Sequence, residues 1–242
     1  MKFDIKVYGV HKRDEMIKNT VERLGLNPET DVFYDDREKG GDALYTAKKA
    51  WLSPLEEGIT HRVCLPDDVY VCDNFREVIQ NIIEQHPNSA ISLFPFLIRE
   101  KNSYISSIKN TAYVKASFLA GIGIILPVNH IKPCFDYIHD FLHDQIYDDT
   151  AMSWYCDKEK LEMLQTIPST LQHIGDETLI WDKDTPIRRT DYFKEHIDNI
   201  DNFKTNLIAV PEYKTVKFIN PKNNLWDCKR VISGIHYEQD LK

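Results

Sequence analysis

No stretch of the chain approaches the roughly 18 consecutive apolar residues that a membrane span requires. The first ten residues, MKFDIKVYGV, read as a strand and lack the apolar core of a signal peptide. A soluble cytoplasmic protein is therefore expected, in the host's cytoplasm if the source is viral. Cysteine is sparse: five in 242 residues, an odd number without close metal-binding spacing. That usage excludes a disulfide framework and points to reduced thiols, so Cys64 and Cys72 are read as packing residues. Basic charge is also short. A formal net charge of −8 argues against holding nucleic acid by a broad positive field, although a local basic groove stays open.

What is present is enough apolar mass for one large core, with 42% hydrophobic residues. One domain over residues 1–184 with an extension over 185–242 is expected. The alternation of Phe3, Ile5 and Val7 predicts a first strand, ending at His11, Lys12 and Arg13. Met16, Ile17, Val21 and Leu24 fall at helical spacing between Asp14 and Leu24, and Gly25 is placed to stop that helix. A short strand from Asp31 to Tyr34 follows. Asp42 to Leu52 forms a helix with one apolar face, and His61 to Leu65 forms an apolar strand. Asn74 to Gln85 is again an amphipathic helix, and Ser89 to Phe94 is a strand closed by Pro95. Strands alternating with helices predict an α/β, Rossmann-like, mostly parallel sheet flanked by helices. Further on, Tyr104 to Ile108 and Tyr113 to Phe118 read as a hairpin. Gly121 and Gly123 mark backbone lying close to a ligand or another segment. A helix is expected from Pro127 through Leu142.

Asp67 and Asp68 stand side by side where the apolar strand emerges. Unpaired charge is excluded from cores, so the pair reads either as a divalent-cation site or as a solvated turn and helix cap. Lys12 and Asp35 also fall at the carboxyl ends of strands, where ligands of such sheets sit. The loop from Asp35 to Gly41, dense in charge and glycine, is a solvated turn or a phosphate- or base-contacting loop. A second pair, Asp148 and Asp149, precedes the apolar face of Met152, Trp154 and Tyr155. It caps a helix or supplies a general base. His173, between an apolar pair and Gly175, would as neutral imidazole complete an oxygen-rich metal site begun by Asp68.

Taken together, LPDDV at 65–69, DDTAMSWY at 148–155 and PSTLQHIGDETL at 168–179 resemble the GT-A nucleotide-sugar-dependent glycosyltransferases, especially small phage and bacterial members. The resemblance spans about Lys6 to Trp181 and lacks a strict Asp-X-Asp. It implies a GT-A-like fold in which Mn²⁺ or Mg²⁺ is held by Asp68 and His173, with Asp67 beside the bound donor. It also implies that Asp149 or Asp148 is the catalytic base, and that the nucleotide lies at Val10, His11 and Lys12 and at the loop carrying Asp35, Arg37 and Lys39.

The chemistry expected of such a site is metal-dependent transfer of a sugar from a nucleotide diphosphate, such as a UDP-sugar, to an acceptor hydroxyl, with inversion. The ion and Lys12, Arg13, Arg37 or Lys39 would stabilise the departing diphosphate. The phage members make a hydroxymethylated pyrimidine in DNA the expected acceptor, reached by base flipping, with a surface glycan or protein as the alternative. Basic residues that would serve DNA are Lys183, Arg188, Arg189, Lys194, Lys204, Lys214, Lys217, Lys222, Lys229 and Arg230. Asp and Glu are interleaved with them, so they also read as a mixed solvated surface. A sugar nucleotidyltransferase is the rival class. It would show a glycine-rich loop after the first strand, where this chain has HKRDE at 11–15. A non-catalytic scaffold that kept the fold is the third reading.

Overall fold

The computed structural model describes residues 1–37, 43–95, 112–116, 118–142, 148–175, 189–190, 192–198, 207–208, 214–219 and 225–230. In chain order the first elements are β1 (Phe3–Gly9), α1 (Asp14–Leu24), α2 (Pro28–Asp31), β2 (Val32–Tyr34), α3 (Ala43–Trp51), β3 (His61–Pro66), β4 (Val69–Val71), α4 (Phe75–Gln85) and β5 (Ala90–Ser92). They continue with β6 (Ala112–Ala116), β7 (Ile124–Pro127), α5 (Val128–Leu142), α6 (Asp148–Glu159), β8 (Met163–Ile167), β9 (Leu171–His173), β10 (Leu207–Ile208), β11 (Lys214–Ile219) and β12 (Leu225–Arg230).

Eight strands form the central sheet in the order β10-β6-β8-β5-β7-β3-β1-β2. β1 pairs in parallel with β2 and β3, β5 with β8 and β6 with β10; β7 runs antiparallel to β3 and β5, and β6 antiparallel to β8. The sheet is thus mostly parallel and flanked by helices, as the strand-helix alternation predicts.

Period-two alternation sorts the strands between two cores. Ile5, Val7, Val63, Leu65 and Ile125 face α1 and α4, while Tyr8, Cys64, Ile124 and Leu126 face α3, α5 and α6. α4 buries Phe75, Val78, Ile79, Ile82 and Ile83 completely or nearly so. Each such side chain is worth roughly 1.5–3 kcal/mol relative to exposure. The α3 end of the second core is anchored by Arg62, which is fully buried. Its guanidinium grips Asp4 and donates to the carbonyls of Ala50, Trp51, Ser53 and Pro54 at 2.7–3.2 Å. A buried charge is tolerable only when paired and hydrogen-bonded in this way.

Several expectations change in detail. Residues 28–31 form a helical turn and only Val32–Tyr34 is strand, because Asn27 caps the Glu29 amide at 3.0 Å and Pro28 favours a first helical turn. Pro127 ends β7, and the helix begins one residue later. Residues 104–108 lie outside the described residues. The described strand β6 ends at Ala116 and pairs with β8 and β10. The antiparallel β7 within the sheet and the strand β8 are additions to the sequence reading. Cys64, Cys72, Cys134 and Cys156 are free thiols in the core.

Candidate functional site at the carboxyl end of the sheet

β3 runs straight into β4, and Asp67-Asp68 is the two-residue link. At this point the chain leaves the main sheet to form a small antiparallel ribbon with β9. Register then delivers the histidine: Val69 lies opposite His173, and His173 Nε2 reaches Asp68 Oδ2 at 2.9 Å. The Ile174 amide donates to the Asp68 carbonyl at 2.9 Å. Both carboxylates are buried.

The other side of the pair is built by the end of β1. The Val10 amide donates to Asp67 Oδ2 at 2.9 Å. Gly9 is required here by close approach, because a Cβ at that position would lie 2.2 Å from the Asp67 Cβ. Arg13, just before α1, places Nη1 2.8 Å from Asp67 Oδ1 and 2.5 Å from Asp68 Oδ2. These contacts split the pair electrostatically. Burial raises the Asp68 carboxyl, but hydrogen bonding and charge from His173, with Arg13, outweigh it and leave the group below its ordinary value. Burial and the neighbouring Asp68 leave Asp67 above its ordinary value in spite of Arg13. Burial pulls Arg13 down, yet Asp68 and Asp67 more than compensate, and its net displacement is upward. Asp68 is therefore the readier anion.

The second carboxylate pair stands beside β1 on the opposite face. Asp148, buried at the start of α6, lies 3.1 Å from the Tyr8 hydroxyl, which is also 3.3 Å from the Gly121 carbonyl. A phenol has one proton to give. If Asp148 keeps its own proton, it donates to the phenol and the phenol donates to Gly121. Burial and then the Asp149 charge push Asp148 up to about 7, in keeping with that chain of bonds; burial and Asp148 likewise raise Tyr8. Asp149 is half-buried. Its Oδ2 accepts from the Gly121 amide at 3.3 Å and its Oδ1 from the Thr150 amide at 2.6 Å. The loop carrying Gly121 is pinned by two hydroxyls: the Leu119 amide donates to Ser153 Oγ at 2.9 Å, and the Ala120 amide to Ser92 Oγ at 3.1 Å.

The remaining expected residues spread outward from β1. The Asp35 amide donates to the Gly9 carbonyl at 2.9 Å, which fixes the end of β2 against β1. The Asp35 side chain is gripped by Arg37 Nε and Nη2, both at 2.9 Å, and the Arg37 guanidinium stacks 3.9 Å over Tyr45. His11 is exposed and stacks on Tyr34, with ring centroids 4.0 Å apart. Lys12 is exposed. Lys39 lies outside the described residues. So do Lys183, Arg188, Lys204 and Lys222, while Arg189 and Lys194 are exposed. Lys214, Lys217, Lys229 and Arg230 are placed by backbone alone, on the antiparallel pair β11 and β12.

A divalent ion can be tested against these residues. Cis ligands of an octahedral ion with bonds of about 2.1 Å stand about 3.0 Å apart, and Asp68 Oδ2 and His173 Nε2 are separated by 2.9 Å. His173 Nδ1 is buried and has no hydrogen-bond partner among the described residues. No group of three His, Cys, Asp or Glu side chains that could hold an ion occurs among the described residues. Ions of the Mg²⁺ type are commonly held by one or two carboxylates, with water and substrate phosphates completing the shell. Asp68 and His173 offer two ligands of that kind, and Asp67 stands beside them.

No family model and no curated protein matches the chain. Among solved structures it overlaps a protein from Bacillus anthracis assigned as glucose-1-phosphate thymidylyltransferase and solved with sucrose. The overlap has 10% identity and a TM-score of 0.41, over 70% of this chain and 89% of that one. A second overlap is with mannose-1-phosphate geranyltransferase from Thermus thermophilus, at 12% identity and a TM-score of 0.39, over 68% of this chain and 73% of that one.

Sequence reasoning did not single out Tyr8, Gly9, Ser92 or Ser153 as parts of the site, whereas Gly121, read as backbone close to a ligand or another segment, does lie against Tyr8 and Asp149. For Gly9, its place at the last position of a strand that leads into charged residues was the available signal.

Proposed function

We propose that the protein is a metal-dependent glycosyltransferase that moves a sugar from a nucleotide diphosphate to an acceptor hydroxyl. One observation carries this reading. Asp68 and His173, 105 residues apart in sequence, share a hydrogen bond beside the end of β1, on whose other face the Asp148 and Asp149 pair is held. Asp68 and His173 would hold Mn²⁺ or Mg²⁺, with Asp67 beside the donor; the ion when bound supplies Lewis-acid stabilisation of the diphosphate leaving group. The Val10 amide and Arg13 fix the carboxylates, and Arg13 and Lys12 bring positive charge to the phosphates. His11, Asp35 and Arg37 would lie around the nucleotide.

The two carboxyls of the second pair divide their work. Asp148, lifted to about 7 by burial and the Asp149 charge, keeps its proton below neutral pH and orients the loop through Tyr8. Asp149, half-buried, takes the proton of the acceptor hydroxyl as it attacks, and the Gly121 amide orients the accepting carboxylate. One base opposite the leaving group gives an inverting displacement. Residues 1–184 form the catalytic domain in this reading. The extension packs on it through Ile197, which is buried in the first core, and through the Asn74 and Ile197 hydrogen bonds at 2.9 and 3.1 Å. The acceptor is a hydroxyl-bearing group, with a modified pyrimidine in DNA and a glycan or protein as the two classes to screen.

A sugar nucleotidyltransferase is the second reading, favoured by the placement of Gly9 at the end of β1 and of the half-buried Arg13 shortly after it. Calorimetric titration separates the two. The glycosyltransferase binds UDP-sugars or other sugar nucleotides in the presence of Mn²⁺ and ignores nucleoside triphosphates with sugar phosphates. The reverse preference establishes the rival, and absence of binding to either refutes both.

A further inference from the structure

The Asp67-Asp68 pair already carries a cation of its own. A single nitrogen, Arg13 Nη1, lies 2.8 Å from Asp67 Oδ1 and 2.5 Å from Asp68 Oδ2, in the bridging position that an ion held by both carboxylates would take. The alternatives are constrained, since Asp67 Oδ2 is engaged by the Val10 amide and Asp68 Oδ2 is also engaged by His173. Resting on the metal-site reading above, we infer that Arg13 and the divalent ion compete for the same carboxylate oxygens, and that Arg13 leaves them for the donor's diphosphate when the ion binds.

The physical case has three parts. Two adjacent carboxylates that are 5% and 7% exposed cannot stand unneutralised, because an uncompensated buried charge is strongly destabilising. In so dry a site solvent screens little, so a guanidinium and a divalent ion sharing the same oxygens repel each other. Arg13 also has a natural second partner. Its fork matches phosphate oxygens as well as carboxylates, and it projects from the turn between β1 and α1, where no side-chain bond caps the helix. Gly175 lets the backbone approach the pair closely: a Cβ there would lie 3.4 Å from Arg13 Nη2 and 3.0 Å from Asp68 Oδ2.

Exchange makes ion and donor binding mutually reinforcing. The diphosphate draws Arg13 from the pair and so frees ligands for the ion, and by reciprocity the ion strengthens diphosphate binding by the same factor. The ion alone is held weakly.

The test is Mn²⁺ binding to the full chain, read by electron paramagnetic resonance, with Mn²⁺ alone and with UDP, GDP or ADP. Arg13→Gln is expected to bind Mn²⁺ alone more tightly than wild type by about tenfold or more, and to lose most of the nucleotide-dependent strengthening. Equal or weaker Mn²⁺ binding by Arg13→Gln overturns the exchange. If in that case Asp68→Ala still loses the Mn²⁺ that wild type binds, the metal-site reading stands and the exchange alone falls. If no protein binds Mn²⁺ with or without nucleotide, both fall. Thermal melting of wild type gives a second readout that does not depend on the variant folding. Mn²⁺ and nucleotide together should raise the melting temperature by more than their separate shifts combined, and a merely additive shift overturns the coupling.

Discussion

Replacing Asp148 with Asn should stabilise the protein above neutral pH and leave its stability nearly unchanged in acid. The carboxyl is buried at the start of α6, and burial, with Asp149 beside it, lifts it from an ordinary 3.8 to about 7. Between those two values the folded state holds a proton that the unfolded state has released, so this group's contribution falls as pH rises. The contribution is fully present below about pH 4 and lost by the time pH passes 7. At 1.36 kcal/mol for each pH unit, the rise corresponds to about 4 kcal/mol at most, part of it owed to the Asp149 charge beside the group. Asn keeps an oxygen for Tyr8 and cannot ionise. The assay is urea denaturation of wild type and Asp148→Asn at pH 5 and pH 8. The variant should gain on wild type by a few kcal/mol between the two pH values, against the common outcome that a buried substitution destabilises. An advantage that does not grow between pH 5 and pH 8 would refute the view that burial keeps Asp148 neutral, and with it the assignment of the base to Asp149.

Asp149→Ala should leave donor binding close to wild type by calorimetry while lowering turnover by about 10²–10⁴-fold; near-normal turnover would transfer the role to Asp148. Gly9→Ala drives a methyl into Asp67, where a Cβ would lie 2.2 Å from the Asp67 Cβ. It should cost about 1–3 kcal/mol of stability and weaken Mn²⁺-dependent donor binding. Equal donor affinity in a folded Gly9→Ala protein would show that the approach of β1 to Asp67 has no bearing on the site.

The parts of the fold that sequence made legible are those with a strong local period. α1 and its left-handed Gly25 cap, at φ 60°, follow from apolar spacing and a stop residue, and α4 follows from five apolar residues on one stripe. What escaped was non-local. β7 reads as an apolar run because both its faces are buried, so no alternation marks it, and its antiparallel insertion is decided by pairing with β3 and β5. The 163–167 strand is buried on both faces as well. Within the site, Asp67, Asp68 and His173 stood out because carboxylates and imidazole at strand ends are costly to bury. Tyr8 and Ser153 did not, because a tyrosine in a strand and a serine in a helix look like ordinary packing until the Gly121 loop is laid against them. The pairing of Arg37 with Asp35 and of Arg13 with both members of the acidic pair likewise depends on side-chain reach across elements, which spacing does not encode.

The most direct test of the central claim is titration of a UDP-sugar panel into wild type and Asp68→Ala, each with and without Mn²⁺. The account predicts donor binding to wild type that requires the ion and is absent from a folded Asp68→Ala protein. Donor binding that is the same without Mn²⁺, or that survives in Asp68→Ala, would contradict it.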